Sequence, residues 1–70
     1  MPQGWEDEWQ ELLRWRDAAL ARARQFQEEV TAAIRRREPP PMQLLRAADR
    51  AEDDLAAAKA RLRDFLRQVG

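Results

Sequence analysis

The stretch that decides the fold lies near the middle of the chain and reads Glu38-Pro39-Pro40-Pro41-Met42. Proline has no backbone N–H to donate, and its ring pushes the preceding residue out of the helical region. A helix that reaches Glu38 therefore stops there, whereas Pro41 suits the first position of a new helix. The chain is predicted to be all-α, with helices at about 5–38 and 41–69 joined by a proline turn at 39–41.

Apolar residues recur at alternating steps of four and three on both sides of the proline turn, which is the spacing of a helical seam. In the first half they are Trp5, Trp9, Leu12, Ala19, Ala23, Phe26, Val30 and Ala33, interrupted only by Arg16. In the second half they are Leu44, Ala48, Ala51, Leu55, Ala58, Leu62, Phe65 and Val69. The first helix can start at Gly4 or Pro2, with acidic residues in its first turn at the positive end of the helix dipole.

A short turn makes the two helices antiparallel neighbours. Pairing positions whose numbers sum to 78 aligns the two seams along their length, with large residues opposite small ones in several layers. In this register Trp9 covers Val69, and Trp5 extends beyond the second helix. The sequence predicts one domain, residues 1–70, folded as an antiparallel two-helix hairpin.

Composition restricts what such a hairpin can do. With neither cysteine nor histidine, disulfides and the usual zinc and di-iron sites are excluded, so we expect no metal and no cofactor. The thirteen basic and thirteen acidic residues give a net charge of zero, so the chain has no overall charge that would attract nucleic acid or an anionic membrane surface. The chain lacks the long apolar run of a membrane span and the N-terminal pattern of a signal peptide, so a cytoplasmic location is expected.

Side chains that could perform catalysis are also scarce. The sequence contains no serine, tyrosine or asparagine, and Thr31 has no histidine to act as its base. The acidic groups at 28–29 and 52–54 are adjacent on helices, so their carboxylates diverge instead of converging on one substrate or metal. We therefore expect no enzyme, no catalytic residue and no small-molecule substrate.

A hairpin of this length has little core of its own, so association is the remaining source of stability. Five large apolar residues widen the seams on one flank and would be left on an exposed edge: Leu13, Leu20, Ile34, Leu45 and Leu66. We expect two hairpins to form a four-helix bundle, although another helical protein that supplies the missing helices is physically equivalent. An antiparallel homodimer would place each basic tip beside the acidic end of the other copy.

The aromatic end and the arginine tip each allow two interpretations. Trp5 and Trp9 close the end of a homo-oligomeric core or form a patch for a different partner. Trp15 lies off the seam, where its ring shields the edge of the bundle or contacts another protein. Arg16, within the seam, extends its charged head to water or is a buried group that fixes register.

The arginines at the tip of the hairpin are possible anion contacts, although cations there also stabilise the negative end of a helix dipole. They are Arg35, Arg36, Arg37, Arg46 and Arg50.

The stretch Val30-Thr31-Ala32-Ala33-Ile34, the proline turn and Leu44-Leu45 loosely resemble the helical hairpins of type III secretion needle subunits and their small co-chaperones. The overall plan is similar to that of small plasmid-control dimers, which form antiparallel four-helix bundles and bind RNA. These resemblances transfer no functional residue to this chain. Three hypotheses for the function remain. The first is a homodimeric interaction or assembly module, and the second is a chaperone or secretion-type subunit that completes its fold with a cognate protein. The third is a nucleic-acid-binding regulator that uses the arginine tip.

Overall fold

The computed structural model describes residues 4–69, which form two helices, α1 (Trp5–Arg35) and α2 (Met42–Val69). The helices pack against each other in antiparallel orientation as a hairpin of 54 × 16 × 14 Å. The all-α hairpin predicted from the sequence is confirmed. Both helix boundaries at the tip differ from the prediction, and each difference has a local cause.

The start of α1 depends on Gly4, whose φ of 95° lies in the left-handed region that favours glycine. The Gly4 carbonyl accepts a hydrogen bond from the backbone N–H of Glu8 at 3.2 Å. Glu6, Asp7 and Glu8 follow in the first turn, where negative charge complements the helix dipole. Gly4 is therefore the residue that starts α1, and Pro2, the other predicted start, lies outside the described residues.

The end of α1 was predicted wrongly, at residue 38 instead of Arg35. Arg37 adopts a left-handed conformation with a φ of 58°. Its N–H donates to the carbonyl of Ile34, and the N–H of Glu38 donates to the carbonyl of Ala33, both at 3.0 Å. These two bonds form a Schellman motif, which satisfies the last carbonyls of the helix. The helix thus ends before the prolines, through a turn whose left-handed residue is an arginine.

Residue 41 was predicted to be the first residue of the second helix, which instead begins at Met42. The Pro41 carbonyl accepts hydrogen bonds from the backbone N–H groups of Leu44 and Leu45, at 3.0 and 3.1 Å. Pro41 is therefore the cap residue that precedes the helix. Its missing N–H costs nothing there, because donors at a helix start have no partner within the helix.

We expect an Arg37→Gly change to stabilise the hairpin by about 0.5–1 kcal/mol, because glycine adopts the left-handed conformation without steric cost. The matched control is Arg36→Gly, since Arg36 has an ordinary φ of −80° and gains nothing from glycine. Urea denaturation followed by circular dichroism at equal protein concentration measures both variants. The assignment of Arg37 as the left-handed cap fails if Arg37→Gly is no more stable than Arg36→Gly.

The core along the seam consists mainly of small side chains. Among the described residues, the buried apolar side chains are Ala19, Ala23, Ala33, Ala51, Leu55, Ala58, Leu62 and Phe65. Alanines at facing positions allow two helices to approach closely, because interaxial distance depends on the side chains at the contact. Close approach reduces the volume between the helices, so the hairpin buries few large apolar groups by itself.

The dimensions of the chain also indicate that the single hairpin buries little of its surface. Its accessible surface is 5819 Å² at a mass of 8.2 kDa, whereas a compact monomer of that mass exposes about 4,500 Å². Its radius of gyration is 16.0 Å, compared with about 11 Å for a compact domain of this length. The single hairpin is therefore an elongated fold that leaves more surface in water than a typical small domain.

Candidate functional site

The two helices present a common apolar flank beside the seam. We define this apolar flank as the positions that follow the seam at intervals of seven: Leu13, Leu20, Gln27 and Ile34 on α1, and Leu45, Glu52, Lys59 and Leu66 on α2. Residues seven apart lie on the same side of a helix, and equivalent flank positions of two antiparallel helices adjoin. Five of these eight positions carry large apolar side chains, and they are the edge residues predicted from the sequence.

The large apolar side chains of the apolar flank differ in how far they are exposed. Ile34 and Leu66 expose 60% and 53% of their surface, and Leu45 exposes 37%. Leu13 is half-buried, and Leu20 is half-buried against the core cluster that includes Ala23 and Leu55. Water therefore reaches apolar surface at both ends of the flank, near the tip and near the open end.

Met42 extends the apolar flank at the tip and was not among the predicted interface residues. It is 63% exposed and lies three residues before Leu45, so the two side chains are neighbours on α2. The spacing of three could have identified Met42. The apolar surface near the tip is consequently larger than predicted.

The opposite side of the seam is a charged flank. We define it as Glu8, Trp15, Arg22 and Glu29 on α1, and Ala47, Asp54, Arg61 and Gln68 on α2. Glu8, Arg61 and Gln68 line one shallow groove beside Phe65, in agreement with a shared side. Trp15 is 42% exposed here, about 140° around the helix from Leu20. The structure thus separates Trp15 from the other predicted interface residues, and its contact with a partner stays a prediction.

The other two tryptophans lie near the open end of the hairpin. Trp9 is half-buried, and its ring centroid is 5.6 Å from that of Phe65 with the planes tilted by 30°. This arrangement is a favourable aromatic pair, and Phe65 lies about one turn closer to the tip than Val69, the predicted partner of Trp9. Trp5 is also half-buried. Trp9 therefore contributes to the core of the single hairpin, and both interpretations of this end stay predictions.

Arg16 interrupts the apolar seam and turns its charged head outward. Its Nε and Nη2 donate hydrogen bonds to Oδ1 of Asp17 at 3.2 and 2.9 Å, and 39% of its side chain is exposed. It lines a groove together with Lys59, Arg63, Ala56 and Leu62. Arg16 keeps its head in water while its stem covers apolar surface. The groove places three cations beside the apolar flank.

The arginines at the tip are exposed, and Arg35 and Arg36 line a groove on α1 together with Arg24. Arg35, Arg36 and Arg37 follow one another at the end of α1, whereas Arg46 and Arg50 lie on α2. Arg36 donates a hydrogen bond to Glu38 at 3.4 Å, which engages one of the five cations with a carboxylate. Their predicted contact with anions stays a prediction.

Two kinds of feature are absent from residues 4–69, metal-binding clusters and membrane-spanning helices. In this range no group of three acidic, histidine or cysteine side chains is placed to hold a metal ion. Neither of the two described helices is long and apolar enough to cross a bilayer. No family model, curated protein or solved structure matches the chain. Fold and surface define it as an all-α helical hairpin with one apolar and one charged flank.

Proposed function

We propose that this protein is a non-enzymatic interaction or assembly module that acts as a homodimeric four-helix bundle. The observation that carries the proposal is the exposure of Ile34, Met42, Leu45 and Leu66 on one side of the hairpin, while the other side is charged. Large apolar side chains exposed together on one side of a soluble protein mark association sites. A second hairpin placed on the apolar flank would convert the two-helix seam into a four-helix core.

The surface areas support an interface of ordinary size. The hairpin exposes about 1,300 Å² more than a compact monomer of its mass, whereas stable protein interfaces bury about 600–1,000 Å² on each partner. Covering the apolar flank would therefore remove most of the excess. This comparison favours an interface that runs along the whole flank over a small contact at one end.

A second candidate is a chaperone-like or secretion-type subunit that binds a different helical protein. Trp15 favours this candidate, because it is exposed on the charged flank, where a homodimer built on the apolar flank would leave it in water. Tryptophan is enriched among residues that anchor protein interfaces. The two candidates are compatible if the dimer is the scaffold and Trp15 belongs to a further contact.

Sedimentation equilibrium of the purified chain at micromolar concentration tests the proposal. We expect a mass of twice 8.2 kDa and a melting temperature that rises with protein concentration. Leu66→Gln should weaken the dimer by about 100-fold, because a dimer contains two copies of each interface residue. Trp15→Gln is the matched control, since it removes a similarly exposed apolar side chain from the opposite flank and should leave the mass unchanged.

Two results would contradict the homodimer. A well-folded monomer throughout the micromolar range would show that the hairpin needs no second copy. A chain that aggregates alone and becomes soluble with one co-purifying helical protein would favour the second candidate. In that case Leu66→Gln and Trp15→Gln would identify which flank binds the companion.

A further inference from the structure

We propose that the apolar flank docks a second copy of this chain in antiparallel orientation, about a two-fold axis that crosses the middle of the hairpin. The axis passes between residues 23 and 24 of α1 and between residues 55 and 56 of α2. Ala23 and Leu55 belong to the same buried cluster, so these two points lie at the same level of the seam. The inference rests on the homodimer proposed above and adds its orientation and register.

The order of side chains along α2 favours the antiparallel orientation. The flank positions Leu45, Glu52, Lys59 and Leu66 are seven residues apart and read apolar, acidic, basic, apolar. A two-fold axis at their midpoint places Leu45 against Leu66 of the second copy and Glu52 against Lys59 of the second copy. This surface is self-complementary, which is the requirement for a two-fold symmetric interface.

The flank of α1 has the same symmetry about the same level. Its positions are Leu13, Leu20, Gln27 and Ile34, with their midpoint between residues 23 and 24. The axis places Leu13 against Ile34 of the second copy and Leu20 against Gln27 of the second copy. One axis therefore pairs apolar residues at the ends of both flanks, whereas Leu20 against Gln27 is an apolar residue against a polar one. The exposed apolar surface at the tip of one hairpin then covers the exposed apolar surface near the open end of the other.

The groove beside the flank adds charge complementarity. Arg16, Lys59 and Arg63 line it on the open-end side of the midpoint. On the tip side of α2, the axis relates Glu52 to Lys59, and Asp49 is one residue from the position related to Arg63; both carboxylates are exposed. The antiparallel arrangement brings these carboxylates of one copy to the cationic groove of the other. Complementary charges at an interface select orientation and speed association.

A parallel arrangement of two hairpins lacks the Glu52–Lys59 pairs and the contacts between carboxylates and the cationic groove. It would superpose α1 on α2 of the second copy at the same level, so Lys59 would meet Leu20 and Glu52 would meet Gln27. It would also bring the two arginine tips side by side, where like charges repel. The charges of the flank and those of the tip therefore both favour the antiparallel orientation.

The first test exchanges charges on the flank. Glu52→Lys alone, or Lys59→Glu alone, creates two like-charged contacts in the antiparallel dimer and should weaken it about 10- to 100-fold at low salt. An equimolar mixture of the two variants should recover affinity to within about threefold of the unmodified chain, because the heterodimer restores both opposite-charge pairs. Sedimentation and native mass spectrometry measure the dimers, and circular dichroism verifies that each variant remains helical.

The matched control makes the same changes on the charged flank. Asp54 and Arg61 are also seven residues apart and exposed, but they lie on the opposite side of the seam. Asp54→Lys and Arg61→Glu should leave the dimer mass unchanged, and mixing them should produce no preference for the heterodimer. Equal effects on both flanks would show that net charge, and not the proposed pairing, controls association, which overturns the inference.

A distance measurement tests orientation independently of affinity. The chain contains no cysteine, so Gln43→Cys introduces a single site for a spin label near the tip, on the outer side of α2. The antiparallel dimer places the two labels about 40 Å apart, whereas the parallel dimer places them within about 20 Å. A monomeric unmodified chain contradicts the proposed function itself. A dimer with the short distance, or without heterodimer preference, contradicts only the orientation inferred here.

Discussion

Replacing Phe65 with alanine is expected to destabilise the protein by about 3–5 kcal/mol, which is the range for removing a buried aromatic ring from a core. Phe65 is 5% exposed and is the largest side chain among the buried residues of the described chain. Its ring also pairs with Trp9 at a centroid distance of 5.6 Å. Since small domains have only about 5–15 kcal/mol of stability, the variant should be largely unfolded under mild denaturing conditions.

Phe65→Leu is the matched control for this prediction. Leucine keeps most of the apolar volume and loses the aromatic pair, so its cost should be about 1–2 kcal/mol. Urea denaturation followed by circular dichroism gives both free energies, and tryptophan fluorescence reports the loss of the contact with Trp9. If Phe65→Ala costs less than about 1 kcal/mol, Phe65 does not occupy the core position described here.

Ala58→Leu is expected to be the most damaging substitution by a larger apolar residue, at about 3 kcal/mol or more. Ala58 has no accessible surface and lies in a seam lined by alanines, so a leucine there forces the helices apart. Separation of the helices weakens contacts along the whole seam, because each helix packs only against the other. Thermal unfolding at equal protein concentration measures the effect as a lower melting temperature.

The adjacent Ala57→Leu variant is the control for Ala58→Leu. Ala57 is exposed on the same turn of α2, and leucine and alanine have similar helix propensities, so its effect should stay within about 0.5 kcal/mol. Equal stability of the two variants would mean that the helices are not closely packed at this level. A difference of several kcal/mol would identify the alanine seam as the feature that holds the hairpin together.

The association hypothesis follows from the same seam. Close packing through alanines brings the helices together but buries few large side chains, and the leucines and isoleucine that are exposed lie on one flank. Ile34 and Leu66 are more than half exposed at opposite ends of that flank. In the proposed dimer, a second copy related by a two-fold axis would cover both, and the Glu52–Lys59 contacts would provide the orientation. The proposed function is thus a consequence of how the seam is packed.

The all-α hairpin could be predicted because its signals are local and periodic. Apolar spacing of four and three defines each helix, and three consecutive prolines separate them. The predicted edge residues could be found by the same periodicity, and Ile34, Leu45 and Leu66 are exposed as expected. The end of α1 could not be located from prolines alone, because the left-handed Arg37 and its Schellman hydrogen bonds terminate the helix earlier.

By itself, the sequence determined two helices, their antiparallel pairing and the existence of an apolar flank, since each depends on residue spacing along a regular helix. The tertiary structure alone decided how those residues divide between core and surface. It paired the ring of Trp9 with Phe65, turned the head of Arg16 to Asp17 and left Trp15 exposed. The physical reason is that these outcomes depend on side-chain direction and helix separation at each contact, which periodicity does not specify.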